Sequence, residues 1–209
     1  VKIEGEYLFK APREDVWEII LDPEVLATAL PGTKSLERVG ENEYQGEMNV
    51  RVGPVGGIFS GRLVVSNEVP PESLTLTVDG RGGPGFMNGT GNVVLSDQGD
   101  GTTLMKYEGE VNIGGRLASV GQRLLDAASK SIINQGLEAL DKALQARVAA
   151  KSEGGNVEYT PPSEGEFMAA VAKDVAGEML MSRTLWIIIT IIIILAFIAA
   201  IWIGTASGG

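Results

Sequence analysis

Cysteine and histidine are both missing from the 209 residues, and positive charge is scarce, with 17 Lys and Arg against 27 Asp and Glu. Without cysteine there is no disulfide, no thiolate nucleophile and no thiolate metal site, a composition compatible with a cytoplasmic setting. Without histidine the Ser-His and Cys-His pairs and imidazole metal sites fall away as well. Carboxylates, Lys, Tyr and Arg remain as the only candidates for chemistry. The formal net charge of -10 lacks the basic footprint that phosphate binding needs, so no nucleic-acid partner is expected. It also disfavours adhesion of the whole domain to anionic lipid. Residues 1–10 alternate, with two Glu and two Lys, unlike the basic and then apolar start of an export signal.

What is present is a long apolar run. Residues 185–203 read LWIIITIIIILAFIAAIWI, with no charge and no proline. At 1.5 Å per residue this covers roughly 28 Å, the thickness of a bilayer's hydrocarbon core. Trp186 and Trp202 lie near its ends, where indoles favour the headgroup level. Arg183 and Lys173 precede the run, and only the uncharged residues 204–209 follow it. The expectation is a tail-anchored, single-pass protein of the cytoplasmic membrane with its N-terminal domain in the cytoplasm.

The part before the anchor is large enough for one domain. Ile3, Gly5, Tyr7 and Phe9 alternate with charged residues, as in a half-buried strand. Pro12, Glu14 and Asp15 then open a short helix with Val16, Trp17, Ile20 and Leu21 as its apolar stripe; a second short helix follows from Glu24 to Leu30. Beyond Pro31-Gly32 the period is two. Tyr44, Gly46, Met48, Val50 and Val52 form one inward set; Phe59, Gly61, Leu63 and Val65 the next; Leu74, Leu76 and Val78 another. Residues 85–95 and 102–113 complete a meander, with Met105, Tyr107, Gly109, Val111 and Ile113 inward. Such a sheet is wet on one face and must be covered on the other. Residues 116–149 supply the cover, a proline-free helical stretch with Leu117, Val120, Leu124, Ala128 and Ile132 at spacings of three and four. The fold class is α+β, an antiparallel sheet wrapped around a long C-terminal helix.

Five units follow from this: a domain at 1–149, a Gly-, Ser- and Pro-containing linker at 150–166, a juxtamembrane helix at 167–184, the anchor at 185–203 and a short tail at 204–209. Phe167, Val171 and Val175 make a modest stripe on the juxtamembrane helix. With few basic residues around them, a solvated stalk is favoured over a helix lying in the membrane surface.

The inward set mixes large flexible side chains with missing ones, Met48, Met87, Met105, Phe59, Phe86 and Tyr107 beside Gly46, Gly61, Gly89, Gly91 and Gly109. Singly, each glycine reads as a bend in the sheet; together they point to an adaptable cavity. Its candidate lining is Tyr44, Met48, Val50, Phe59, Gly61 and Leu63, then Leu76, Phe86, Met87, Gly89, Met105 and Tyr107. The helix would add Leu117, Val120, Leu124 and Ala128. Tyr44 and Tyr107 could present hydroxyls to an occupant or sit in the core. Gly80, Gly82 and Gly85 match G-x-G-x-x-G but lie between antiparallel strands and include Pro84, so they form no dinucleotide site. A mobile loop at a cavity mouth or a glycine-rich hairpin both fit them. Glu108 and Glu110 alternate outward and form no acid–base pair.

The Ala11-Pro12 and Val16-Trp17 pairs, Leu30-Pro31-Gly32, Val52-Gly53-Pro54-Val55 with Phe59 and Gly61, Gly89 and Gly91, Gly101-Thr102-Thr103, and Gly114-Gly115-Arg116-Leu117-Ala118 leading to Gly121 recur in order. Over about residues 1–149 the chain thereby resembles CoxG, a family of carbon monoxide dehydrogenase subunits within the helix-grip, START-like (SRPBCC) superfamily. The resemblance implies seven strands and an elongated apolar cavity under the helix. It implies recruitment of a carbon monoxide dehydrogenase-type molybdenum hydroxylase to the membrane, with a lipophilic quinone, menaquinone or ubiquinone, as occupant. It carries over no catalytic residue, metal or covalent cofactor. A ligand-free docking module and a polyketide cyclase-like enzyme are the alternative readings.

Overall fold

The computed structural model of the chain describes residues 1–29, 32–153, 165–166 and 169–177. The apolar run at 185–203 and most of the expected linker lie outside the described residues. No helix among the described residues is long and apolar enough to cross a membrane.

Strand β1 (Lys2–Phe9) leads into α1 (Arg13–Ile20) and α2 (Pro23–Ala29). Six strands follow: β2 (Thr33–Gly40), β3 (Glu43–Val52), β4 (Val55–Val69), β5 (Ser73–Gly82), β6 (Gly85–Asp97) and β7 (Thr103–Gly115). Helix α3 (Gln122–Glu153) comes next. All seven strands form one antiparallel sheet in the order β1-β7-β6-β5-β4-β3-β2. The chain is a meander from β2 to β7, with β1 returning to pair with β7.

Local chemistry accounts for the helix boundaries. Glu14 and Asp15 occupy the first turn of α1, where carboxylates complement the helix dipole. Asp22 caps α2 by accepting the backbone N–H groups of Glu24 and Val25 at 3.0 and 3.3 Å. Its other oxygen receives Arg147 of α3 at 2.9 Å, tying the short helices to the long one. Helix α3 starts six residues later than the expected Arg116. A 3-10 turn at Ala118–Val120 intervenes, and Gly121 takes φ +91°, which L-residues avoid and which breaks helix continuity. The Gly121 carbonyl then accepts the N–H groups of Leu124 and Leu125 and starts α3. Leu117 and Val120 therefore stand before the long helix, although Leu117 is still buried.

The glycines from Gly80 to Gly91 form a continuous hairpin. Strands β5 and β6 remain paired up to Gly82 and Gly85, with Gly83 and Pro84 as a two-residue turn, which is the hairpin reading rather than an open loop.

Two hydrophobic clusters hold α3 to the sheet. The larger one joins Phe9, Val16, Ile19 and Tyr44 to Leu140 and Leu144 in the C-terminal half of α3. Thr103, fully buried beside it, donates its hydroxyl to the Ala11 carbonyl at 2.8 Å. The smaller one gathers Val52, Val55, Phe59 and Leu117 around Leu125 and Ala128 in the N-terminal half.

Candidate functional site

Strict alternation fixes which side chains face α3. One cross-strand row on the concave face runs Tyr44, Leu63, Val78 and Gly89. Burial falls along it: Tyr44 is 2% exposed, Leu63 half-buried and Val78 38% exposed. An inward-facing valine this open means that the helix does not fill the concave face at β5. Met48, Met87 and Tyr107 are also half-buried on this face, and Met105 is buried in the larger cluster.

The glycines of this face owe their identity to backbone proximity. A Cβ on Gly89 would lie 2.5 Å from the Glu110 carbonyl oxygen, and one on Gly61 would lie 3.0 Å from that of Asp79. Both positions let neighbouring strands curl closely, the bending role that the sequence favours for each glycine singly. Phe86 departs from the expected lining. It pairs with Arg81 and Gly114 and faces outward, 39% exposed, because Met87 beside it faces in and adjacent strand residues take opposite faces. Its ring lies over Gly114, where a Cβ would come within 2.1 Å of it.

The two candidate hydroxyls differ. Tyr44 donates its hydroxyl to the Leu21 carbonyl at 3.0 Å and belongs to the core. Tyr107 is half-buried, burial pushes its pKa up, and its hydroxyl has no partner among the described residues. It lies over Gly5 of β1, whose missing side chain makes room for the phenol.

A cavity of about 370 Å³ opens at the N-terminal end of α3. The end of β3 and its turn contribute Arg51, Val52 and Gly53; α3 contributes Leu124 and Ala128; the helical segment 169–177 contributes Val171, Ala172, Val175 and Ala176. Gly53 is needed at the turn, with φ +58° and the Leu124 side chain 2.9 Å from where a Cβ would stand. Of the lining expected from sequence, only Leu124 and Ala128 reach this cavity; Val50, Phe59, Leu117 and Val120 form or pack on the cluster beside it. The walls are apolar except for Arg51, whose guanidinium has no hydrogen-bond or ion-pair partner among the described residues. No group of carboxylates among the described residues could hold a metal ion.

Sequence reasoning missed Arg51, Val52, Gly53 and the four tail residues. Arg51 alternates outward, and its place at the strand end lets it border the cavity. The Val171 and Val175 stripe was the available signal for the tail. Both sit against the domain, so the tail is not a solvated stalk here.

The sequence profile of CoxG, the family of carbon monoxide dehydrogenase subunits, matches residues 5–145. The chain belongs to the CoxG family. A crystal structure of a conserved protein from Geobacillus kaustophilus is 31% identical, with a TM-score of 0.67, over 69% of this chain and 95% of that one. The Zhui aromatase/cyclase from a Streptomyces species shares the fold, with 17% identity and a TM-score of 0.53 over 74% of this chain and 98% of its own. An uncharacterized protein from Rhizobium leguminosarum does so too, with 16% identity and a TM-score of 0.53 over 69% of this chain and 94% of that one. No curated protein matches the chain. The CoxG match ends before residue 169, so the cavity's tail wall lies outside the region that defines the family.

Proposed function

We propose that this CoxG-family chain is a membrane-tethered adaptor. It recruits a carbon monoxide dehydrogenase-type molybdenum hydroxylase to the cytoplasmic membrane and binds a lipophilic quinone, menaquinone or ubiquinone, in its apolar cavity. Family membership supports the enzyme partner. The apolar run at 185–203 supports the tether, which raises the local concentration of the domain at the bilayer without demanding a strong contact.

The observation that carries the ligand reading is an apolar cavity bordered by a cation that has no partner among the described residues. A quinone ring is apolar on both faces and offers carbonyl oxygens, which accept hydrogen bonds and donate none. Arg51, exposed at the cavity's border, supplies donors, and among the described residues no carboxylate is paired with it. At about 300–1,000 Å³, ligand cavities of ordinary size include this one at their lower end.

The cyclase likeness concerns the fold alone. A cyclase needs groups that move protons at its substrate, and Arg51, permanently charged, is the only ionisable side chain among the described residues of the cavity wall. The accessory role therefore fits the site better than catalysis.

The test is solvent extraction and mass spectrometry of the full-length protein purified in mild detergent, with binding to the hydroxylase measured on the same sample. About one quinone per chain is expected, as for a single-site carrier. A protein that arrives empty, takes up no added quinone and still binds the hydroxylase would be a docking module instead.

A further inference from the structure

We propose that residues 169–177 are a plug: they close the apolar cavity from outside the domain, and a long-chain lipophilic ligand enters by displacing them. The ligand class rests on the quinone reading above; the plug itself rests on the contacts of the tail.

Val171, Ala172, Val175 and Ala176 are spaced so that one helical face meets the cavity. Val171 is 5% exposed, and Val175 packs against the smaller core cluster. A polar latch lies beside this face. The Asp174 carboxylate accepts the Ser131 hydroxyl at 3.0 Å and the Gln135 amide at 3.1 Å. Ser131 is itself 5% exposed, in the middle of α3. Its hydroxyl serves the tail, and the charged acceptor makes the bond strong. The segment is therefore held by a specific contact as well as by apolar burial.

The hold is also reversible. The other walls are the β3–β4 turn and α3, both built into the sheet and the core. The tail wall can leave without unpacking either of them.

Cavity size makes the displacement necessary. At about 30 Å³ per water-sized group, about 370 Å³ holds roughly a dozen such groups. A two-ring quinone head fits within that volume, but an isoprenoid chain of many units does not. The chain needs the groove that Val171 and Val175 occupy.

The absence of native cysteine makes a direct test simple. Ser131→Cys with Asp174→Cys in the full-length, detergent-solubilised protein places the only two thiols where the latch now stands. Leu124→Cys with Val175→Cys is a second lock across the same contact. Menadione, the ring without a chain, and a long-chain menaquinone are each added to the oxidised and reduced forms, and retained quinone is counted after desalting. Menadione should be retained equally by both. The oxidised form should retain long-chain menaquinone about tenfold less than the reduced form, equivalent to about 1.4 kcal/mol. Equal retention of the long-chain quinone by both forms overturns the plug. If neither form retains either quinone, the quinone reading fails separately, and uptake of the neutral fluorophore N-phenyl-1-naphthylamine decides the plug. Slower uptake by the oxidised form supports it, and equal uptake overturns it.

Discussion

Tyr44 of β3 donates its hydroxyl to the backbone carbonyl of Leu21 at 3.0 Å, closing the end of α1 against the sheet. The bond satisfies a carbonyl that the helix end leaves without an intrahelical partner. Tyr44→Phe keeps the ring and leaves that acceptor unmade, at a cost of about 1–2 kcal/mol. Urea unfolding followed by circular dichroism measures it. Quinone retention should not change, because the hydroxyl is committed to the core; a loss of retention with unchanged stability would return Tyr44 to the ligand site.

The sheet was legible because its central strands alternate cleanly and its turns carry Gly-Pro or Asp-Gly signals. Strand β2 gave little signal. Apart from Thr33 and Leu36 it is exposed along its length, as an edge strand can be, and so lacks an apolar period. The start of α3 was misplaced because Leu117 and Val120 continue the helical spacing, while the φ of Gly121 is a backbone property that spacing does not reveal. Phe86 was counted inward with its neighbour Met87, which a strand's period of two forbids. The cavity was the least legible part. Its walls come from a hairpin turn, one helix and a segment more than forty residues further on, and no local pattern links Ser131 to Asp174.

Two glycines on β6 should respond differently to the same small change. A Cβ at Gly89 would lie 2.5 Å from the Glu110 carbonyl oxygen and 3.0 Å from the Val111 Cα, contacts that backbone must move to relieve. At Gly91 the nearest atom, the Glu108 carbonyl oxygen, is 3.2 Å away. Gly89→Ala should cost about 1–3 kcal/mol, the range for overpacking, and Gly91→Ala less than about 1 kcal/mol. Thermal melts of the two variants give the comparison; equal shifts would mean that the strands here relax freely.

Tyr7 sets an alkaline limit. Burial, then the charges of Asp141 and Glu138 and a 3.5 Å hydrogen bond to Asp141, push its pKa up to about 12 from 10.0. The folded state thus holds the phenol proton more tightly than the unfolded chain. This contribution is whole below pH 10 and declines as pH rises towards about 12. Tyr7→Phe should show a smaller loss of urea resistance than the parent between about pH 8 and 11. The phenolate absorbance missing from the variant should titrate near 12; a missing component centred at 10 would show that Tyr7 is solvated like a free phenol.

Two positions report where the ring of an occupant sits. Ala176 lines the cavity from the tail yet is exposed on its other side, so Ala176→Phe can put a ring into the cavity without repacking the core. Val78 faces α3 from the unfilled middle of the sheet, and Val78→Phe narrows the concave face there. If the quinone head sits beneath the tail, Ala176→Phe should lower retention of menadione by about tenfold. Val78→Phe should leave menadione retention unchanged. Neither should shift unfolding by more than about 0.5 kcal/mol, as for substitutions with access to solvent. The reverse pattern, with menadione lost from Val78→Phe and kept by Ala176→Phe, would put the head on the open concave face near the Tyr107 hydroxyl. Arg51 would then be left without a role in binding.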